Sequence, residues 1–454
     1  MIVLYYTMKM MKKFYLVFLV LGVFVGFLSS CDDDDKYIPE LPVVTIESEN
    51  GGFSMLPTES IVLKAKVGNT RDVDLAWFVN GEKVGTDSVY IFKAERLGDY
   101  NVAILASNMD GETYVSTTIE VHGTYKYGTF VLSEGSNAPG TIVFISPKGE
   151  VIENAYYVEN GGELGGASQD LFIKNNKMYI ISQNGGYDGG FLTILNAETL
   201  KRERKFQEEL SGKVSWPTHV AVLGEDDIYI RDNNGVKRFQ PSTGEVTLIQ
   251  GTEGARKNTM AVADGKVFAT VGKNVVVIEA GMDEVTNTIG FEDRVSGVIK
   301  ASDGNLWVSD GSGNITKVDV KTYAKLGNSK VSDEAKRVLS ASFAAAPSIT
   351  AKGDTLYMSG LSSKIYRHVF GSDKTELMVD AKDMVDNVGI VYNTCAVHPV
   401  TGEVYLNSIK GYGNDYKINN ISVLNFSGDE PKVSANYENY TAFPAGTFFT
   451  YNFK

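Results

Sequence analysis

The chain has 454 residues, with 43 Lys and Arg against 56 Asp and Glu, a formal charge of −13. That balance argues against nucleic acid as a partner, because binding a phosphate backbone needs a basic face. Forty-six glycines, 24 tyrosines, 22 phenylalanines and only 11 prolines suit a chain of many short strands and tight turns.

The chain opens on a basic head, Lys9, Lys12 and Lys13, followed by the uncharged run 14–28, FYLVFLVLGVFVGFL. Such a run is short for a spanning helix, which needs about 20 residues, and reads as a secretory signal peptide over 1–30. The stretch MIVLYYT before it fits this poorly, so translation is expected to start at Met8, Met10 or Met11. Leu28-Ser29-Ser30-Cys31 resembles the lipobox of bacterial lipoproteins, and Asp32 to Asp35 resemble the surface-export signal of Bacteroidota lipoproteins. The resemblance implies an acylated Cys31 held in outer-membrane lipid, an acidic linker over 31–40, and a cell-surface location. Each buried CH2 of the acyl chains contributes roughly 0.8 kcal/mol to anchoring. The other cysteine, Cys395, is then unpartnered, which excludes a disulfide, a Cys-based zinc site and an iron–sulfur centre in the mature chain.

From 41 to 122 the segments 43–48, 60–67, 73–79, 88–93, 100–106 and 114–121 alternate apolar and polar residues, with turn signals such as Asn80-Gly81 between them. Strands at that spacing predict a small β-sandwich. Trp77 stands where an immunoglobulin-like domain buries its strand-C tryptophan, and Gly98 to Val102 resembles a tyrosine corner, so the segment resembles Ig-like or PKD-like modules. A spacer role is expected for it rather than ligand binding, because no cluster of exposed aromatics is evident.

From 124 to 454 a short apolar–aromatic strand recurs seven times: 128–135, 177–184, 227–234, 266–273, 305–312, 355–362 and 403–410. Six are preceded by another short strand, at 168–173, 217–223, 259–264, 297–302, 347–352 and 394–399. The missing one stands at the very end, AGTFFTYNF, 445–453. A period near 45 with several strands per unit is the signature of a β-propeller. The predicted fold is thus all-β: an N-terminal Ig-like sandwich followed by a seven-bladed propeller closed by strands from both of its ends, leaving no open edge.

If each blade runs outward from the axis, the loops 182–190, 212–217, 231–234, 255–258, 293–296, 342–343, 391–393, 407–417 and 443–446 share one face. This face is the expected ligand surface, with candidates Tyr187, Trp216, Arg231, Lys257, Asn258, Arg294, Phe343, Asn393, Tyr412 and Tyr416. No phosphate loop, HExxH or G-x-S-x-G motif occurs. His122, His219, His368 and His398 lie far apart, although His219 and His398 occupy innermost-strand positions that an axis could bring together; two separately satisfied histidines are the expected outcome. Asp232 and Asp310 lie on the loop face without a pattern that makes them acids, and DGSGN at 310–314 reads as a hairpin turn. No catalytic residue, metal site or cofactor is expected, and the chain is read as a binding protein rather than an enzyme.

The segment Asn160 to Asp170, NGGELGGASQD, resembles the N-G-x-P-L-G-x-x-x-Q-[SD] stretch of YncE-like propeller lipoproteins of Bacteroidota, with Glu163 in place of the proline; the ending Phe443-Pro444-Ala445-Gly446 is similar too. The resemblance, over about 124–454, extends to the BtuG-type cobalamin-capturing members. It implies capture of a corrinoid, cobalamin, as a transported ligand on the loop face and its delivery to a TonB-dependent outer-membrane transporter. The alternatives are a glycan- or siderophore-binding surface lipoprotein of another uptake system, and, less favoured, a propeller lyase or lactonase. The added sandwich and the lost proline depart from the family pattern.

Overall fold

The computed structural model describes residues 37–49, 51–68, 72–135, 138–340, 345–372 and 374–453. The signal segment, Cys31, the acidic run and Phe343 lie outside them. The described residues are almost wholly strands and turns, in two compact units.

Between residues 41 and 122 the strands are β1 (Val43–Ser48), β2 (Ser54–Met55), β3 (Ile61–Gly68), β4 (Asp74–Val79), β5 (Glu82–Gly85), β6 (Val89–Phe92), β7 (Gly98–Asn108) and β8 (Gly111–Val121). They form two sheets, ordered β1-β3-β6 and β2-β8-β7-β4-β5. Alternation sets the inner faces: Ile61 and Leu63 of β3 are buried while Lys64 and Lys66 are exposed. Trp77, Phe92, Val102 and Ile104 complete the core, and the Trp77 indole donates to the Asp87 carbonyl at 2.8 Å. Tyr100 of the expected corner packs edge-on to Phe92, at 5.4 Å. β5 was not legible in the sequence. It has one apolar residue, Val84, and pairs with β4 through the two-residue turn Asn80-Gly81, both residues at positive φ (50° and 88°) as a type I′ hairpin requires.

In the second unit seven sheets follow one another among the described residues. Their two innermost strands are Pro444–Phe449 with Thr129–Ser133, Gly166–Lys174 with Lys177–Gly185, His219–Gly224 with Asp227–Asp232, Ala261–Ala263 with Lys266–Val271, Val295–Lys300 with Leu306–Asp310, and Thr350–Lys352 with Thr355–Met358. In the last sheet two short pieces, Ile390–Val391 and Ala396–Val397, pair with Val404–Ile409. The final strand of the chain does complete the sheet begun by Thr129–Ser133, with Phe448 across from Phe130.

Each second strand is apolar on both faces because it serves two neighbours. Met178 and Ile180 pack with Phe130 and Phe144 of the preceding sheet, while Tyr179 and Ile181 pack with Val220 and Ile228 of the following one. The same sharing recurs at every junction, including the closing one, where Val131 and Phe449 meet Tyr405 and Ile421. One sheet alone would expose half its apolar surface, so the sheets are stable only stacked in a closed ring.

Two short helices sit in loops that lead to innermost strands. Helix α1 (Ala155–Asn160) is capped by Asn154 and ended by Gly161 at φ 66°; α2 (Asp333–Leu339) is capped by Ser332, with Asp333 and Glu334 in its first turn.

Candidate functional site

Strand register decides which loops share a face. Gly166 stands across from Gly185, His219 from Arg231, Val295 from Asp310, Ile390 from Ile409 and Pro444 from Ser133. The start of each innermost strand therefore lies beside the end of its second strand. Among the described residues, the loops expected to share one face do so; 342–343 lies outside them.

Three aromatics project from that face: Tyr187 is 54% exposed, Trp216 61% and Tyr412 66%. Tyr187 (φ 51°), Trp216 (φ 52°), Asn393 (φ 67°) and Phe443 (φ 60°) all take left-handed backbone, which is costly for bulky side chains and held only where neighbours enforce it. Around Trp216 the enforcement is visible. The buried Asp232 carboxylate accepts from the Ser215 and Asn234 amides, each at 2.8 Å, and pairs with Lys237 at 2.9 Å. Around Tyr187, the Gly186 amide donates to the Gln207 side chain at 2.8 Å and the Gly190 amide to the Gly186 carbonyl at 2.9 Å. Tyr416 and Tyr412 lie nearly parallel to Phe443, with ring centres 4.8 and 6.3 Å away, and Tyr392 packs on it at 5.6 Å.

Between these loops lies a polar floor drawn from several sheets. Tyr392 donates to the Glu134 carboxylate at 3.2 Å, and Gln169 also bonds it. Burial raises the Glu134 pKa, with Lys257, Tyr392 and Gln169 opposing. Burial lowers the Lys257 pKa, with Glu134 opposing and Arg231 reinforcing. Arg231, 9% exposed, spends Nε and Nη2 on the Ala255 carbonyl (3.0 and 2.9 Å) and Nη1 on Thr218 Oγ1 (3.2 Å). His219 donates from Nε2 to the Ala345 carbonyl at 2.6 Å and accepts at Nδ1 from Thr218 at 3.0 Å. Burial, then Lys257, pushes its pKa down to about 3, so it is a neutral structural group.

Asn258 and Asn393 hold backbone. Asn258 donates to the Ser296 and Ala346 carbonyls at 3.2 and 3.3 Å; Asn393 accepts from the Ala345 amide at 3.0 Å and donates to the Ala445 carbonyl. They brace the floor from the fifth, sixth and first sheets. Arg294 is exposed and stands apart, close enough to Arg256 to help lower that group's pKa after burial.

His219 and His398 do not meet. His398 sits at the far end of its strand, accepting at Nδ1 from the Val400 and Thr401 amides and packing on Phe449 at 4.8 Å. His368 is buried between Ser329 and Thr375. No group of three or more metal-ligating side chains occurs among the described residues. Asp310 of DGSGN accepts from the Ser312 and Asn314 amides at 2.9 and 3.3 Å, as a hairpin turn. Two concavities of the ring measure about 250 Å³, beside Lys382, Asp386 and Lys410 on the loop face, and about 380 Å³, between Tyr357, Arg367, Glu376 and Phe426 at the opposite end.

The 160–170 segment packs too closely to tolerate bulk. A Cβ on Gly165 would lie 2.0 Å from the Gly190 carbonyl, and one on Gly162 2.2 Å from the Asp188 carboxylate. Its Ser168 hydroxyl lies 2.9 Å from that of Ser182, and its Asp170 carboxylate accepts from the Val220 amide at 3.1 Å. The segment thus locks the second innermost strand into the ring and delivers Gln169 to the floor.

Glu134 and Tyr392 are not among the sequence's candidates, and Gln169 stands there only as the glutamine of the 160–170 stretch. Glu134 lies at the end of the first repeated strand, and Tyr392 precedes Asn393.

A profile of the PKD-like domain matches residues 41–108, and one described as a domain of unknown function, DUF5074, matches 127–450. No curated protein matches the chain. Among solved structures, a quinonprotein alcohol dehydrogenase-like protein from Bacteroides thetaiotaomicron VPI-5482 superposes with a TM-score of 0.53 at 15% identity, over 89% of this chain and 99% of that one. The computationally designed Ika8 protein (TM-score 0.41, 11% identity, 71% and 89% coverage) and YCF48 bound to D1 peptide (0.39, 12%, 63% and 90%) are also similar. At 15% identity the likeness to the Bacteroides protein is one of fold, a β-propeller. The DUF5074 profile spans most of the chain and the whole ring of sheets, and the chain belongs to that family, with a PKD-like domain ahead of it.

Proposed function

We propose that the chain is a surface lipoprotein, anchored through acylated Cys31 in the outer membrane, that captures a corrinoid, cobalamin, on the propeller's loop face and hands it to a TonB-dependent transporter. The observation that carries this reading is the arrangement of Tyr187, Trp216 and Tyr412. All three are well exposed on one face around a polar floor, and the loops of Tyr187 and Trp216 are braced by partly buried hydrogen bonds. Exposed aromatics on stiff loops suit a broad amphipathic ligand, because little ordering entropy is lost when it docks. The face offers rings to a flat macrocycle and Asn, Gln and Tyr groups to amide side chains. The lipobox and the 160–170 resemblance support the same reading from the sequence. In it the protein binds and does not catalyse, and cobalamin is cargo.

The near-parallel rings of Tyr412, Tyr416 and Phe443 favour a second reading, a glycan-binding surface protein, since sugars stack on such platforms. Calorimetry with cyanocobalamin separates the two. One-to-one binding at micromolar concentration or tighter supports corrinoid capture. No heat and no melting shift well above micromolar ligand refutes it and turns attention to glycans and siderophores.

A further inference from the structure

The face loops 231–234, 255–258 and 293–296 carry four cations that could meet an anionic ligand, and the structure treats them unequally. Arg231 spends its donors on Ala255 and Thr218. Arg256 donates to the Val295 carbonyl at 3.1 Å. Arg294 is exposed, where water screens its charge. Lys257 is different. It is partly buried in the floor, and among the described residues no hydrogen bond or ion pair reaches its ammonium. Its nearest compensation is the field of Glu134, whose carboxylate is already held by Tyr392 and Gln169. A half-desolvated ammonium with unfilled donors is costly unless something fills them.

We infer that Lys257 is the residue that receives the ligand's anionic group, a phosphate ester, at the floor of the loop face, beside a Glu134 carboxylate that is already held by Tyr392 and Gln169. The inference rests on the corrinoid reading for the ligand's identity and deepens it by naming the recognition element. The aromatics bind whatever is flat; Lys257 distinguishes ligands that carry phosphate from those that do not. A charge-assisted hydrogen bond in a water-poor floor is the stronger kind, so the discrimination is large.

The test titrates the full-length chain with cyanocobalamin and with dicyanocobinamide, which keeps the corrin ring and lacks the phosphate and base. Wild type is expected to prefer cyanocobalamin by roughly tenfold or more. Lys257→Met and Lys257→Gln are expected to bind both equally, and Glu134→Gln to keep or widen the preference. A preference that survives both Lys257 substitutions assigns discrimination to the base and overturns the inference. Equal binding by wild type overturns it too, while leaving corrinoid capture standing. If neither corrinoid binds, the corrinoid reading fails and the anion site is judged by itself, from acetylation of Lys257 followed by mass spectrometry. Protection by dimethyl phosphate then sustains it, and unchanged acetylation overturns it. Melting temperatures of the variants show that each is folded.

Discussion

The Tyr392 hydroxyl donates to the Glu134 carboxylate at 3.2 Å across 258 residues of chain. The bond joins the link between the two innermost pieces of the last sheet to the end of the first repeated strand, beside the seam where the ring closes. Tyr392→Phe leaves a half-buried carboxylate one donor short and should cost about 1 kcal/mol. Urea unfolding measures it. In a Glu134→Gln background the same change should cost less, and equal costs would show that the two groups are not coupled.

Trp216 and Tyr187 project from the loop face, so truncating either should leave the fold intact. Trp216→Ala and Tyr187→Ala are expected to shift stability by no more than about 0.5 kcal/mol. Their effect should fall on cyanocobalamin affinity, reduced roughly tenfold or more as for a buried aromatic anchor.

Gly165 has no room for a side chain. In Gly165→Ala the new methyl would meet the Gly190 carbonyl and Ser182, which are backbone and strand and cannot swing aside. Overpacking of this kind costs about 1–3 kcal/mol. Gly161→Ala tests a different mechanism: nothing lies within 4 Å, but φ is 66°, so a smaller cost from backbone strain alone is expected.

Ending the chain before Pro444 removes the strand that pairs with Thr129–Ser133 and takes Ala445 and Phe449 out of two inter-sheet cores. The ring then has an open apolar edge. The melting temperature should fall by roughly 10 °C or more, with concentration-dependent aggregation. Unchanged melting would contradict closure by the last strand.

Asp170 is fully buried, and burial pushes its carboxyl up to about 8 despite amides from Val220 and Leu171. A group protonated in the folded state and ionised in the unfolded one contributes stability that is full below about pH 4 and lost as pH rises toward 8. Asp170→Asn removes that dependence. Its melting temperature relative to wild type should therefore climb between pH 4 and 8. A difference independent of pH would show that Asp170 is ionised in the fold.

The strand periodicity, the seven recurrences and the displaced last strand are legible in the sequence, because a strand's two-residue alternation and the spacing of its turns are written locally. It also placed the loops on one face, since that follows from antiparallel order alone. β5 and the helices α1 and α2 escaped it: β5 lacks alternation, and a six- or seven-residue helix shows too little period. Which polar groups share the floor is set by the fold. Glu134, Gln169, Lys257 and Tyr392 come from four different sheets, and their approach depends on register and on tightly packed loops such as 160–170. It likewise spent Arg231, Asn258 and Asn393 on backbone carbonyls and amides, and set His219 and His398 at opposite ends of their strands. Hydrogen-bond partners are fixed by three-dimensional proximity, which spacing along the chain does not encode. That is why the same inventory of loop residues divides into braces and free donors only once folded.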